Sequence, residues 1–303
     1  MHRNAYAKER RSVQKVSIRF FHDTPVRAVW NDEKNNWFFN VPDAVGAIRG
    51  EAEYEKNRNY WKYLKNRLKR ENSQLVSATI QLKLTAPDGK KRNTDVMDAE
   101  SIRLLAAEFP ARIAAGFIDW FVRSEESIDG KSKQKAYALF DSTLLSEIEV
   151  GTVRGLKQIH SYLFGGLYDF AGQIRKTNIA KGNFQFANVM YLDNTLKTIE
   201  TMPEGTFDEI VGKYIEMNIA HPFREGNGRS MRIWLDLMLK RNLQRCVDWS
   251  KIDKNDYLEA MRKSTVDGFV IKQLLQSALT ENVDDREVFM KGIDYSYYYE
   301  AED

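Results

Sequence analysis

The chain has 303 residues, 43% of them apolar, 12% aromatic and 29% charged, a mix that can bury a core and excludes a wholly disordered chain. Its 6 prolines exclude a collagen-like or Pro-rich stalk, and its single cysteine, Cys246, excludes an internal disulfide and a Cys-based zinc site. Net charge is +3, but residues 1–130 hold 23 Lys+Arg against 18 Asp+Glu while the remainder holds 23 against 25, so the first part is the basic part and nucleic-acid binding stays open there. Charges interrupt every apolar run well before the ~18 residues of a spanning helix, which predicts no membrane partner. The basic N-terminus has no apolar run before a small-residue cleavage site, which predicts no secretory leader and a cytoplasmic protein.

In chain order, residues 1–23 read as a basic arm, loose or a short strand. Two short apolar runs between Val26 and Val45 flank the polar stretch Asn31 to Asn36 and predict a hairpin. A helix is expected from about Pro42, with Asp43 in its first turn. Residues 56–70 carry seven Lys/Arg and no acid, with Trp61, Leu64, Lys65 and Leu68 at helical spacing. The following segment to Asp98 alternates around Asp88-Gly89 and predicts a second hairpin, then helix over 98–123. Residues 126–135 form the best linker candidate. Beyond Ala136 the pattern is helical, apart from Ile174 to Tyr191, which alternates around Lys181-Gly182-Asn183 and predicts a short hairpin. The fold class is therefore α+β, a small N-terminal α/β domain over 24–125 followed by a mainly helical domain over 136–303.

The chemistry concentrates in His221 to Arg232, HPFREGNGRSMR. Pro222 ends one helix, and Gly226-Asn227-Gly228 turns the chain into the next. Free N–H groups and the positive end of the new helix then face one point, an anion site. Arg229 and Arg232 are three apart and reach the same side. Glu225 is a carboxylate beside a phosphate site, which suits Mg²⁺. His221 has the side chain whose ordinary pKa best suits a base near neutrality. Phosphate-transfer chemistry uses such parts.

HPFREGNGR resembles the signature of the Fic family, HxFx(D/E)GN(G/K)R, and Arg232 fits that family's second arginine. The upstream segment GLYDFAGQIRKTNIAKGNFQFA resembles the strand and flap that precede it. The resemblance spans roughly residues 135–300 and implies transfer of AMP from ATP to a Tyr, Ser or Thr hydroxyl of a target protein. It implies His221 as base, Glu225 as the Mg²⁺ ligand, and Gly226, Asn227 and Gly228 on the α- and β-phosphates. Arg229 and Arg232 would clamp the β- and γ-phosphates, and Phe223 would anchor the loop. Lys181, Gly182, Asn183 and Phe184 would form a flap that aligns the target by strand pairing, and Lys176 and Thr177 would line the nucleotide pocket. Gly228, where kinase-type relatives have Lys, favours AMP transfer. A phosphocholine nucleotide as donor is not excluded by the loop.

Ser277 and Glu281 are one helical turn apart, and Ser277 to Asn282 fits the family's inhibitory motif (S/T)xxxE(G/N). The resemblance implies an inhibitory helix near 270–282 whose Glu281 pairs with Arg232 and displaces the γ-phosphate. In some relatives the same Glu supports AMP removal. Tyr295, Tyr297, Tyr298 and Tyr299 are candidates for self-modification, with packing tyrosines the favoured reading. Residues 24–125 resemble the Bro-N domain of phage antirepressors, which implies a DNA partner; Trp61 and Tyr63 are expected to pack rather than stack on bases. An alternative is a phage-type DNA-binding regulator carrying a secondary Fic module. A homo-oligomer is open.

Overall fold

The computed structural model describes residues 16–300 apart from 32, 35, 86–89 and 183. The chain divides into two units, Met1–Trp120 and Phe121–Asp303. Among the described residues, no helix is long and apolar enough to cross a membrane.

The first unit is built on an antiparallel sheet with strand order β1-β2-β3-β5-β4. Its strands are β1 (Val16–Phe21), β2 (Thr24–Asn31), β3 (Asn36–Asn40), β4 (Ile80–Thr85) and β5 (Lys91–Asp98). The second half of the expected arm is thus strand, because Val16 to Phe21 alternates and pairs with Thr24 to Val29. The helices are α1 (Val41–Arg49), α2 (Tyr54–Arg70), α3 (Gln74–Ala78) and α4 (Ala99–Ala106), and the division at Trp120 falls within α5 (Ala111–Glu126). Asn40 caps α1 through Asp43 N, and Ser73 caps α3, so Gln74 to Ala78 is helix where a strand is expected. The helix expected over 98–123 breaks at Pro110, which has no N–H to continue it. The turn expected at Asp88-Gly89 lies outside the described residues.

Val29, Phe38, Leu84 and Val96 form one core cluster of the sheet. Trp61, Leu64 and Leu68 are the buried stripe of α2. Asp95 fastens that helix to the sheet: it accepts from Trp61 Nε1 at 2.8 Å, Lys65 Nζ at 2.7 Å and Gln81 Nε2 at 3.1 Å. Tyr63 does not pack as expected; it is 68% exposed.

The second unit is helical: α6 (Ile128–Leu139), α7 (Leu144–Glu147), α8 (Val153–Phe164), α9 (Val189–Glu200), α10 (Phe207–Ala220), α11 (Asn227–Leu243), α12 (Lys254–Lys263), α13 (Phe269–Ser277) and α14 (Arg286–Tyr298). Two small antiparallel pairs interrupt it: the hairpin of β6 (Ala180–Lys181) with β7 (Phe184–Gln185), and the long-range pair of β8 (Cys246–Val247) with β9 (Leu279–Thr280).

Two expectations are corrected here. The linker at 126–135 is helical, because Ser127 caps α6 by accepting from Gly130 N, and Ser132 and Ala136 are buried. The inhibitory helix expected to 282 stops at Ser277. Leu279–Thr280 instead pairs with Cys246–Val247, and Asp248 N bonds Ala278 O. Ser277 and Glu281 therefore share no helical face.

Candidate active site

Helix α10 starts from a full capping box, Thr206 with Glu209, and ends at His221 in the left-handed conformation, φ 47° and ψ 65°. Pro222 follows and cannot continue it. Phe223, wholly buried, roots the loop and stacks on the His160 ring at 3.8 Å. Asn227 closes the loop on itself: its Oδ1 accepts from Phe223 N at 2.9 Å and its Nδ2 donates to Phe223 O at 2.8 Å. The Asn227 side chain is thereby committed to the loop. Gly226 takes φ 79°, and a Cβ there would strike the Phe164 ring at 2.4 Å. Helix α11 begins at Asn227 with no side-chain cap, so its first N–H groups face the loop's concave side.

His160 supports the loop from below. Gly172 N donates to its Nδ1 at 2.9 Å, so Nε2 carries the proton donated to Glu225 O at 2.9 Å. Burial pushes its pKa down to about 4, and the ring serves as a neutral strut.

The two arginines are buried, and both are held by carboxylates. Arg229 meets Asp129 of α6 and, at 2.8 Å, Glu225. Its Nε is buried with no hydrogen-bond partner among the described residues, as is Ser230 Oγ. Orphaned donors of this kind suit a cradle built for an added anion. Arg232 donates from Nε to Ser296 Oγ at 2.8 Å, and from Nη2 to Ser296 O at 2.7 Å and Glu300 Oε1 at 2.6 Å. Its Nη1 reaches Tyr257 OH at 3.2 Å. Burial works against the Glu300 charge, but Arg232 beside it prevails and holds that carboxyl below its ordinary range. Glu281, expected on Arg232, instead pairs with Arg245 at 2.6 Å and is 73% exposed. The expected pairing is corrected to Glu300. Ser277 donates to Leu274 O, and Asn282 N bonds Thr280 Oγ1.

His221 lies under the hairpin. Its Nδ1 is 3.2 Å from Asn218 O, which assigns the proton to Nδ1 and leaves Nε2 as acceptor. Phe186 stacks on the ring at 3.7 Å and 16°. Burial pushes its pKa down to about 4, so the imidazole is neutral at pH 7.

The hairpin turns at Gly182, φ 58°; Lys181 is exposed and Phe184 half-buried beside Phe186. Asn183 lies outside the described residues. Lys176 and Thr177 are exposed, and Thr177 contributes its carbonyl to Arg175. Tyr297 and Tyr299 are buried, with hydroxyls bonded to Ser132 Oγ, and to Trp249 O and Ile252 O.

Four residues here escape sequence reasoning. Arg175, Asp129 and His160 have no local signal, since their partners lie far along the chain. Glu300 had one: Ser296-Tyr297-Tyr298-Tyr299-Glu300 repeats the S-x-x-x-E spacing of Ser277–Glu281, though Ala301 departs from the motif's Gly or Asn.

Residues 151–239 match the Fic/DOC family. The chain is similar to the protein adenylyltransferase VbhT of Bartonella schoenbuchensis, 31% identical over 137 residues, which are 41% of this chain and 27% of that protein. It is 26% identical over 168 residues to the probable protein adenylyltransferase Fic of Escherichia coli, covering 50% of this chain and 83% of that one. The N-terminal Fic domain of a Bartonella effector from strain AR 15-3 superposes at a TM-score of 0.46 and 18% identity, over 54% of this chain and 84% of that one. The chain thus spans about a quarter of the first relative and most of the second.

Proposed function

We propose that the unit Phe121–Asp303 is a protein adenylyltransferase, moving AMP from ATP to a hydroxyl of a target protein. The observation that carries this is the convergence, within one loop, of a neutral acceptor His221 Nε2, an uncapped helix N-terminus and two buried arginines. The target Tyr, Ser or Thr oxygen attacks the α-phosphorus of ATP. The bond from that phosphorus to the α–β bridging oxygen breaks and pyrophosphate leaves. The proton of the target hydroxyl passes to His221 Nε2. Arg229, Arg232 and the α11 N–H groups neutralise charge on the phosphates. Gly228 keeps the cradle wide, since a Cβ there would lie 2.0 Å from Glu300 Oε1, a volume open to a phosphate once Glu300 leaves.

Glu225 is the residue that would hold Mg²⁺. Its side chain is 56% exposed, with only Oε1 engaged, by Gly226 N and Arg229, and a hydrated ion bound along with phosphates would need only one such ligand. The ion supplies charge neutralisation on the phosphates.

The unit is read as self-inhibited, with Glu300 on Arg232 as the inhibitory contact and Asp129 on Arg229 as a second. Carboxylates occupy the donors that phosphates would use. Mass spectrometry of a bacterial lysate treated with the Glu300→Gly variant and ATP tests the reading. An AMP adduct on a protein supports it, and a phosphate or phosphocholine adduct replaces it with another donor chemistry. An adduct that persists with His221→Ala removes the base assignment.

A second reading concerns the first unit, whose sequence resembles Bro-N. Arg58, Lys62, Lys65 and Arg92 line a cleft of about 540 Å³ with Asn66 and Asn93, against the carboxylates Glu53, Glu55 and Asp95; the cations outnumber the acids, and cations with amides suit a phosphodiester backbone. Binding of duplex DNA that weakens steeply with salt and is lost on Arg58→Ala/Lys62→Ala supports it; salt-independent or absent binding ends it.

A further inference from the structure

The base of the flap holds a guanidinium that the reaction itself does not call for. Arg175 is 3% exposed, and burial lowers its pKa, with no charged group among the described residues to offset it. All its partners are backbone carbonyls. Nη1 donates to Thr177 O at 2.8 Å, on the outgoing arm of the flap. Nη2 donates to Ala187 O, on the returning arm, and to Ala220 O at 3.0 Å. Nε donates to His221 O at 2.8 Å. One planar group thus ties both arms of the flap to the last carbonyls of α10, groups that a helix end leaves without partners.

Backbone bonds follow the same path. Arg175 N donates to Pro222 O at 2.9 Å and Ala187 N to Ile219 O at 3.0 Å. Between these ties lies Phe186, whose ring covers the imidazole. His221 itself holds a left-handed backbone, which a residue with a Cβ keeps only when its surroundings over-determine it. A lysine could not replace the fork, because its single nitrogen cannot span the four carbonyls.

We infer that Arg175 is a positioning residue, fixing His221 and the flap in one geometry so that the acceptor nitrogen and the docked target strand stay in register. It acts through His221 and Phe186, and not on the nucleotide. The part of this that concerns transfer rests on the adenylyltransferase reading; the part that concerns His221 stands without it.

The test uses the full chain with labelled histidine, read by NMR across pH, and needs no target. The chain has only 4 histidines, so the signals are few. In the parent, burial should hold His221 neutral down to about 4. Lys181, Glu225 and Glu300 are the charged groups that act on it, and Arg175 substitution leaves all three in place. In Arg175→Gln the Phe186 cover loosens, and titration of His221 moves toward its ordinary 6.5, while an unmoved His160 resonance reports an intact fold. If Arg175→Gln does not fold, Arg175→Lys is read the same way. A folded variant in which His221 titrates where it does in the parent overturns the inference. In the Glu300→Gly background, the same substitution lowers the labelling rate by ~10- to 100-fold with the ATP Kd within ~2-fold. A loss that appears wholly in the ATP Kd contradicts it. Absence of labelling in the Glu300→Gly parent counts against the adenylyltransferase reading and leaves the NMR result to decide the role of Arg175.

Discussion

The Nη2 of Arg232 donates to Glu300 Oε1 at 2.6 Å, while the same guanidinium binds Ser296 twice. The residues that close α14 thus occupy Arg232, the donor that the proposed adenylyltransferase would offer to a γ-phosphate. Glu300→Gly should raise ATP-dependent labelling by at least ~10-fold, the worth of about 1.4 kcal/mol from one charge-assisted bond. Glu281→Gly should leave labelling unchanged, because Glu281 faces Arg245. Parallel labelling assays of the two variants check this, and a reversed pattern restores the Glu281 assignment.

Asp129 should act in the same direction but more weakly. Its carboxylate is 53% exposed, and solvent screens such pairs to roughly 0–1 kcal/mol. Asp129→Ala should tighten ATP binding by roughly 2- to 5-fold, measured by calorimetry. Helix α6 is also fastened to α14, through Lys133–Asp294 at 2.6 Å and Tyr297 OH to Ser132 Oγ at 3.0 Å. The effects of Asp129→Ala and Glu300→Gly should therefore fall short of additive.

The pH profile follows from His221. Its pKa is lowered by burial to about 4, so the neutral acceptor form is present above that value and is lost as pH falls through it. Labelling by Glu300→Gly should be flat from pH 8 to 6. A fall centred near the ordinary histidine value of 6.5 would show that His221 is solvated in the working enzyme.

The loop depends on Asn227. Truncating it leaves Phe223 N–H and C=O unpaired in the core, at a cost of roughly 2–3 kcal/mol. Asn227→Ala should lower the melting temperature by roughly 4–12 °C and abolish labelling. Calorimetry showing an unchanged transition would mean that the loop stands without this closure.

The turn from one helix into the next between His221 and Arg232 was legible because it lies within twelve residues, where spacing alone sets the local geometry. The hairpin at 180–185 was legible for the same reason. The carboxylate that pairs with Arg232 was not, because the S-x-x-x-E spacing occurs twice. What separates the two copies is a long-range event: Leu279–Thr280 pairs with Cys246–Val247 and ends helix α13. Asp129 stood in a polar stretch that reads as a linker, and its partner Arg229 is 100 residues away. Arg175 reads as one more basic residue until the fold brings four carbonyls around it. Tyr63, expected to pack, faces solvent because Trp61, Leu64 and Leu68 already fill the buried stripe of α2.

The most direct measurement labels protein with the Glu300→Gly variant and ATP carrying the isotope on either the α- or the γ-phosphate. Transfer of AMP predicts protein-bound label from the α-position alone, with none for His221→Ala. Label from the γ-position, or α-label that survives loss of His221, would contradict it.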